Sequence, residues 1–191
     1  MNMKFQSLRG TKDILPDESG LWQYVEDTAT ALFRKFGYRQ ITTPIFEQTG
    51  LFVRSIGSDT DIVTKEMYTF DDKKGRSLTL RPEGTAPVVR AYLQNQLYKQ
   101  DEILKLYYKG PFFRHERPQA GRERQFCQFG VEVLGGMNAA IDAEVIYLAN
   151  SILKELGVKN FKLLLGSVGC FKCRPEYEKV ILSSLKKNLS S

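Results

Sequence analysis

Cysteine and histidine are scarce in this chain: three cysteines and one histidine among 191 residues. Three cysteines without an export signal predict no disulfide framework and a reduced, cytoplasmic protein. The start, MNMKFQSLRGTKD, carries basic residues with no apolar stretch behind them, so no signal peptide is expected. No apolar run is long enough to span a bilayer, which predicts no membrane partner. Internal repeats and low-complexity segments are also missing. The single histidine, His115, leaves no Ser-His-Asp set to assemble.

What is present is enough for one domain with a real core. Hydrophobic residues make up 42%, and the net charge is +6. That charge suits an anionic partner such as nucleotide or RNA, and equally suits many mildly basic proteins with no such partner.

RGTKDILPDES (9–19) reads as an extended polar lead-in. Pro16, Asp17 and Ser19 are helix-start signals, and 19–36 places Leu21, Val25, Leu32 and Phe33 near one helical face. Gly37 ends that helix. Residues 38–43 read as a strand stopped by Pro44, and 47–55 as a short helix. MYTFDD and SLTLRP flank Lys73-Lys74-Gly75-Arg76 as a hairpin. Residues 85–96 read as a helix with Val88, Val89 and Tyr92 inward.

LKLYYKGPFFRHERP and QFCQFGVEVLGG are expected to be two strands joined by the charged loop PQAGRER. Residues 139–156 have helical spacing, FKLLLGSVG (161–169) reads as a strand, and 176–187 as a last helix. Strands that come in hairpin pairs predict an α+β fold with a largely antiparallel sheet, not a doubly wound parallel one.

The stretch FRHERPQAGRERQFCQFGVE (113–132) holds four arginines, three carboxylates and three glutamines among apolar residues. Alternate strand side chains share a face. Gln128, Gly130 and Glu132 therefore lie on one face, with Phe129 and Val131 on the other. Arg114, Glu116 and Pro118 alternate likewise on the partner strand. A solvated face would look similar. Two details favour an anion or nucleotide site: Gly130 should open space beside the sheet, and the loop 118–124, with Gly121 and two more arginines, suits a clamp over an anion.

A second patch is TLRPEGTAP (79–87), where a strand end leads into a helix. Thr85 is a plausible N-cap. Glu83 and Thr85 at a strand end could instead hold an ammonium group.

RGTKDILP, TLRPEGTAP and FRHERPQAGRERQFCQFGVE, in this order, resemble the histidyl-tRNA synthetase family of class II aminoacyl-tRNA synthetases. The resemblance runs over essentially the whole chain. It implies a catalytic domain on an antiparallel sheet flanked by helices, a homodimer, ATP and Mg2+, and the charging of histidine tRNA with L-histidine. FGYRQITTP resembles the first class signature, at the dimer interface in the family, and the long motif resembles the second. The third signature, a later histidine-binding segment and the anticodon-binding domain are not found. Residues 1–191 are thus expected to be an N-terminal part of the class II catalytic domain, with very low activity alone.

Carried over by position, Glu83, Gly84 and Thr85 would bind histidine through its α-amino group. Arg114 would contact the α-phosphate of ATP and the substrate carboxylate, as the catalytic cation. Gln128 would reach the substrate, and Glu132 would accept from its imidazole. Glu116 would lie near adenine, and Arg122 near the γ-phosphate or the tRNA end. The sequence departs from the family pattern at Glu123, an acid where an aromatic is usual, and at Cys127, expected in the core by alternation. His115 is expected to be structural. Cys170 and Cys173 have C-x-x-C spacing, half of a zinc site that the parent protein would complete.

Two other functions are compatible with these residues. A regulatory subunit of ATP phosphoribosyltransferase shares the fold, and GRER leans towards it, while RPEGT with Gln128 and Glu132 leans away. A non-catalytic RNA-binding module would need exposed aromatics among the basic residues.

Overall fold

The computed structural model describes residues 5–166, 170 and 172–189. They fall into two compact units, residues 1–157 and 158–191. The larger unit carries α1 (Pro16–Lys35), β1 (Arg39–Gln40), β2 (Phe46–Gln48), α2 (Thr49–Ile56), β3 (Tyr68–Asp71), β4 (Ser77–Leu80), α3 (Thr85–Gln94), β5 (Leu104–Phe113), β6 (Gln125–Leu134) and α4 (Ala139–Glu155). The smaller carries α5 (Arg174–Leu189).

The sequence builds α1 as expected. Pro16 occupies the first turn, where its missing N–H costs nothing; acids open the helix and Arg34 and Lys35 close it. Ala29 and Phe33 are buried, whereas Leu21 remains 69% exposed, so the apolar face is narrower than its spacing suggested. At α4 the Asn138 side chain caps the helix by accepting from Ala140 N at 2.9 Å.

The strands form two three-stranded sheets, β1-β5-β6 and β2-β4-β3. All pairs are antiparallel except β1 with β5. The strand expected over 38–43 is only Arg39–Gln40, and the helix expected over 47–55 begins at Thr49, because Phe46–Gln48 pairs with β4. The β3–β4 turn is held by the Asp72 carboxylate, which accepts from Lys74 N (2.8 Å) and Arg76 N (2.9 Å). Residues 161–166 join no ladder; Leu163, Leu164 and Leu165 are exposed, and a strand exists only through a partner. The rest of that expected strand, 167–169, lies outside the described residues.

The β5–β6 hairpin is the centre of the larger unit. Tyr107 and Tyr108 are consecutive and point to opposite faces. Tyr107 joins Ala29, Phe33, Tyr38 and Leu148 under α1 and α4, with Phe33 stacked on it at 4.8 Å between ring centroids. Tyr108 joins Val88, Leu104, Leu106 and Phe112 on the α3 side. Each such buried side chain contributes about 1.5–3 kcal/mol, which fixes the hairpin from both faces.

Candidate active site

The register of the hairpin decides which polar groups meet. Tyr108 pairs with Gly130, Leu106 with Glu132, Gly110 with Gln128 and Phe112 with Phe126. Gln128, Gly130 and Glu132 therefore share the α3 side of the sheet. The N-terminus of α3 lies over that face and brings Glu83, Gly84 and Thr85 to it.

Thr85 Oγ1 donates to Glu132 Oε1 at 2.8 Å. Thr85 is the first helical residue, and Gly84 occupies the N-cap position. The cap is supplied by Glu83, whose carboxylate accepts from Thr85 N (2.5 Å) and Ala86 N (3.0 Å). Thr85 is thus not the N-cap residue; the longer Glu83 side chain reaches the free amides from one position earlier. Burial pushes the Glu132 carboxyl above its ordinary range; the Thr85 hydrogen bond pulls it partly back, and the charge of Glu83 adds to the rise.

Gly130 does not leave open space. A Cβ there would stand 2.1 Å from Tyr108 Cζ, and one on Gly84 2.2 Å. The Tyr108 ring fills the gap between the two glycines. Sequence alternation alone missed it; the hairpin register, which sets Tyr108 opposite Gly130, was the signal that could have found it.

Arg114 is joined to the same segment. Its Nε donates to Pro82 O at 2.9 Å, and its guanidinium lies over the Phe126 ring at 5.5 Å. Pro82 precedes Glu83, so residues 82–85 tie Arg114, Glu83 and Glu132 to one region. Beyond Arg114 a cleft of about 460 Å³ is lined by Ile62, Glu66, Arg114, Glu116, Arg122 and Glu123, among others. Arg122 donates to Glu116 Oε2 at 3.2 Å, and Arg114 stands 4.0 Å from Glu116 Oε1. A half-buried carboxylate between two guanidiniums makes an alternating cluster that an incoming polyanion could enter by displacing Glu116 from Arg122.

The lead-in RGTKD anchors the loop. Gly10 O accepts from Arg124 N (2.7 Å) and Gln125 N (3.2 Å). Gly10 has φ +86, and a Cβ on it would meet Arg124 Cγ at 2.8 Å, so only glycine lets the backbone come this close. Arg81 serves the frame: it is buried, donates to Pro111 O and Thr43 O, and stacks on Phe112 at 4.4 Å. His115 packs edge-on against Tyr68 at 5.4 Å and remains exposed. Cys127 is exposed, not in the core: it lies outside the apolar cluster that α1 and α4 build around Tyr107. Glu26 and Lys109, the ion pair beside it, are themselves charged.

In the smaller unit the Cys170 and Cys173 sulfurs stand 3.5 Å apart, and Cys173 Sγ accepts from Cys170 N at 3.0 Å. The edge of a zinc–sulfur tetrahedron is about 3.8 Å for ~2.3 Å bonds, so the pair fits two corners. Among the described residues no group of three or more metal-ligating side chains forms.

These features meet a clear likeness to known proteins. A family model for histidyl-tRNA synthetase matches residues 10–174. The chain belongs to the histidyl-tRNA synthetase family. It is 58% identical over 173 residues to a histidine–tRNA ligase of Dictyoglomus turgidum, covering 91% of this chain and 42% of that protein. It is 53% identical over 188 residues to one of Anoxybacillus flavithermus, covering 98% and 44%. The chain thus spans less than half the length of these relatives. Among solved structures it is similar to apo histidyl-tRNA synthetase of S. aureus, with TM-score 0.75 and 41% identity over 97% of this chain and 43% of that one. It is also similar to an ATP phosphoribosyltransferase regulatory subunit/histidyl-tRNA synthetase of Bacillus halodurans, with TM-score 0.71 and 29% identity over 85% and 40%. The likeness to the synthetase fold agrees with an α+β architecture of mainly antiparallel sheet flanked by helices.

Proposed function

We propose that residues 1–191 form the N-terminal part of a class II catalytic domain that, in the complete protein, activates L-histidine with ATP and passes it to histidine tRNA. The carrying observation is that residues 82–85 join three groups: Arg114 through Pro82 O, the Glu83 carboxylate, and Glu132 through Thr85.

The division of labour follows from charge. Glu83 and Thr85 receive the α-amino group of histidine, beside the backbone of Gly84. Glu132 accepts from the imidazole N–H, and Gln128, on the same face, reaches the substrate. Arg114 faces the α-phosphate and the substrate carboxylate. In the first step the carboxylate attacks the α-phosphorus and pyrophosphate leaves; a fixed guanidinium stabilises the charge that grows on the phosphate oxygens. No protein nucleophile is required, and orientation of the reactants can supply about 7–11 kcal/mol of the barrier lowering. Glu116 lies towards the adenine, and Arg122 towards the γ-phosphate or the tRNA end.

Magnesium would arrive with the nucleotide. The ion would keep several waters and be held chiefly by the nucleotide's own phosphates. It would share the phosphate charge.

The ligase reading is favoured over a regulatory paralogue. Relatives at 53–58% identity are named histidine–tRNA ligase, while the similar structure whose name includes the regulatory subunit is 29% identical. A homodimer is supported by exposed apolar groups on and beside the second sheet: Ile45, Phe46 and Phe70, with the two phenylalanine rings edge-on at 6.4 Å. No helix among the described residues is long and apolar enough to cross a membrane, and we place the protein in the cytoplasm with its tRNA. The deciding experiment is ATP–pyrophosphate exchange by the complete protein. Exchange that depends on L-histidine is expected; exchange indifferent to histidine would defeat the proposal.

A further inference from the structure

Arg81 stands at the joint between the two sheets. It follows β4 and donates its backbone N–H to Ile45 O at 2.8 Å, next to β2; its own carbonyl accepts from Phe113 N, at the end of β5, at 3.1 Å. The residue is 4% exposed and, among the described residues, pairs with no carboxylate. Its charge is met by neutral oxygens instead. Nε donates to Pro111 O at 3.0 Å, and Nη1 donates to Thr43 O at 3.1 Å and Thr43 Oγ1 at 3.2 Å. A buried cation without an acid partner is costly unless its donors are filled, and the planar fork of arginine suits acceptors spread in this way.

The long hairpin makes room for this group. Gly110 has φ +146, and a Cβ on it would stand 2.7 Å from Arg81 Nη2. The guanidinium cannot yield cheaply, since those hydrogen bonds and the Phe112 ring at 4.4 Å hold it.

We infer that Arg81 is a positioning residue for adenylate formation: it sets the distance between the two halves of the site. This rests on the function proposed above. Glu83 and Thr85 follow Arg81 on the chain leaving the second sheet, and Arg114 follows Pro111 at the end of the first. The backbone of Arg81 belongs to one half, and its side chain grips the other through Pro111 O. Without that grip, Arg114 keeps one contact to Pro82 O, about which its guanidinium can swing. The Thr85–Glu132 bond still closes the histidine end. Orientation of Arg114 against bound histidine is therefore lost, and histidine binding is kept.

Arg81→Lys keeps the charge and loses the fork. In pyrophosphate exchange by the complete protein, kcat per bound histidine, counted by calorimetry, should fall about a hundredfold, the scale of a misplacement near 1 Å. KM for histidine should stay at the wild-type value. A lower thermal midpoint with kcat per bound histidine unchanged would make Arg81 only a frame residue and overturn the inference, as would a raised KM with kcat unchanged. If Arg81→Lys does not fold, Thr43→Val decides, since it is isosteric and removes one acceptor. Its kcat should fall about threefold, the low end for one hydrogen bond, and wild-type kcat would overturn the inference. Arg114→Ala, run alongside, separates the two claims. If it leaves exchange unchanged, the function proposed above falls, and the role of Arg81 with it. If it lowers exchange while the Arg81 and Thr43 variants do not, the inference about Arg81 alone falls.

Discussion

Thr85 and Glu132 are 47 positions apart in the chain, and the hydroxyl of one donates to the carboxylate of the other at 2.8 Å. This bond joins the start of α3 to the middle of β6. It sets a carboxyl of raised pKa beside a second carboxylate, Glu83, whose own oxygens are held by the helix amides. Two acids so close repel each other, and a cationic ligand between them relieves that cost.

Removing Glu132 should therefore separate the two substrates. In the complete protein, Glu132→Ala is expected to weaken histidine binding by roughly a hundredfold, since a buried imidazole N–H would be left unpaired. ATP affinity should hardly change. Calorimetric titration with each ligand checks this, and equal losses for both would count against the assignment.

Arg114 acts where charge develops. Arg114→Ala should cut histidine-dependent pyrophosphate exchange by about 10²–10³-fold, the range seen when one preorganised donor to a transition-state oxyanion is removed. A rate within a few-fold of wild type would refute the role.

Glu132 should also make stability depend on pH. Its folded-state pKa is raised above the ordinary carboxyl value. Such a group favours the folded state at pH below that ordinary value, and that contribution is lost as pH rises through the folded pKa. Glu132→Gln removes the charge, so the variant should be more stable than wild type at pH 7, by on the order of 1 kcal/mol. The gap should close as pH falls to about 4, where the wild-type carboxyl is protonated. Urea unfolding at the two pH values measures it; a variant less stable than wild type at pH 7 contradicts the burial argument.

The Tyr108 wedge predicts a coupling. Gly130→Ala should destabilise by about 1–3 kcal/mol, because its methyl would overlap the Tyr108 ring. In a Tyr108→Ala background the same change should cost much less, since the ring is gone. Additive losses in the double-mutant cycle would show that some other neighbour resists the methyl group.

Cys170 and Cys173 form two corners of a sulfur tetrahedron, and the complete protein is expected to supply the other two. Elemental analysis should then find close to one zinc per chain, absent after both cysteines are changed to serine. A zinc-free complete protein would dispose of this.

Local patterns in the sequence were enough for much of the fold. The periods of 19–36 and 139–156, the first preceded by Pro16, named two helices because amphipathicity and helix-start signals act within a few residues; the Asn138 cap was read only from the structure. Alternation placed Gln128, Gly130 and Glu132 on one face of β6, since strand geometry admits only two faces. The motifs around Glu83, Arg114 and Glu132 gave the candidate site. What depended on distant partners was not legible in the same way. Phe46–Gln48 became a strand because β4 lay alongside, 161–166 joined no ladder among the described residues, and Cys127 stayed exposed beside the Glu26–Lys109 ion pair instead of entering the apolar cluster. Glu83, not Thr85, proved to be the cap.

The chain's order of residues thus determined its helices, its long hairpin and the set of charged groups available for chemistry, since these follow from neighbours in sequence. Only the tertiary structure decided that Tyr108 fills the space between Gly84 and Gly130 and that Thr85 turns to Glu132. Those contacts come from the hairpin register and from where α3 lands on the sheet, and packing from both faces sets that position.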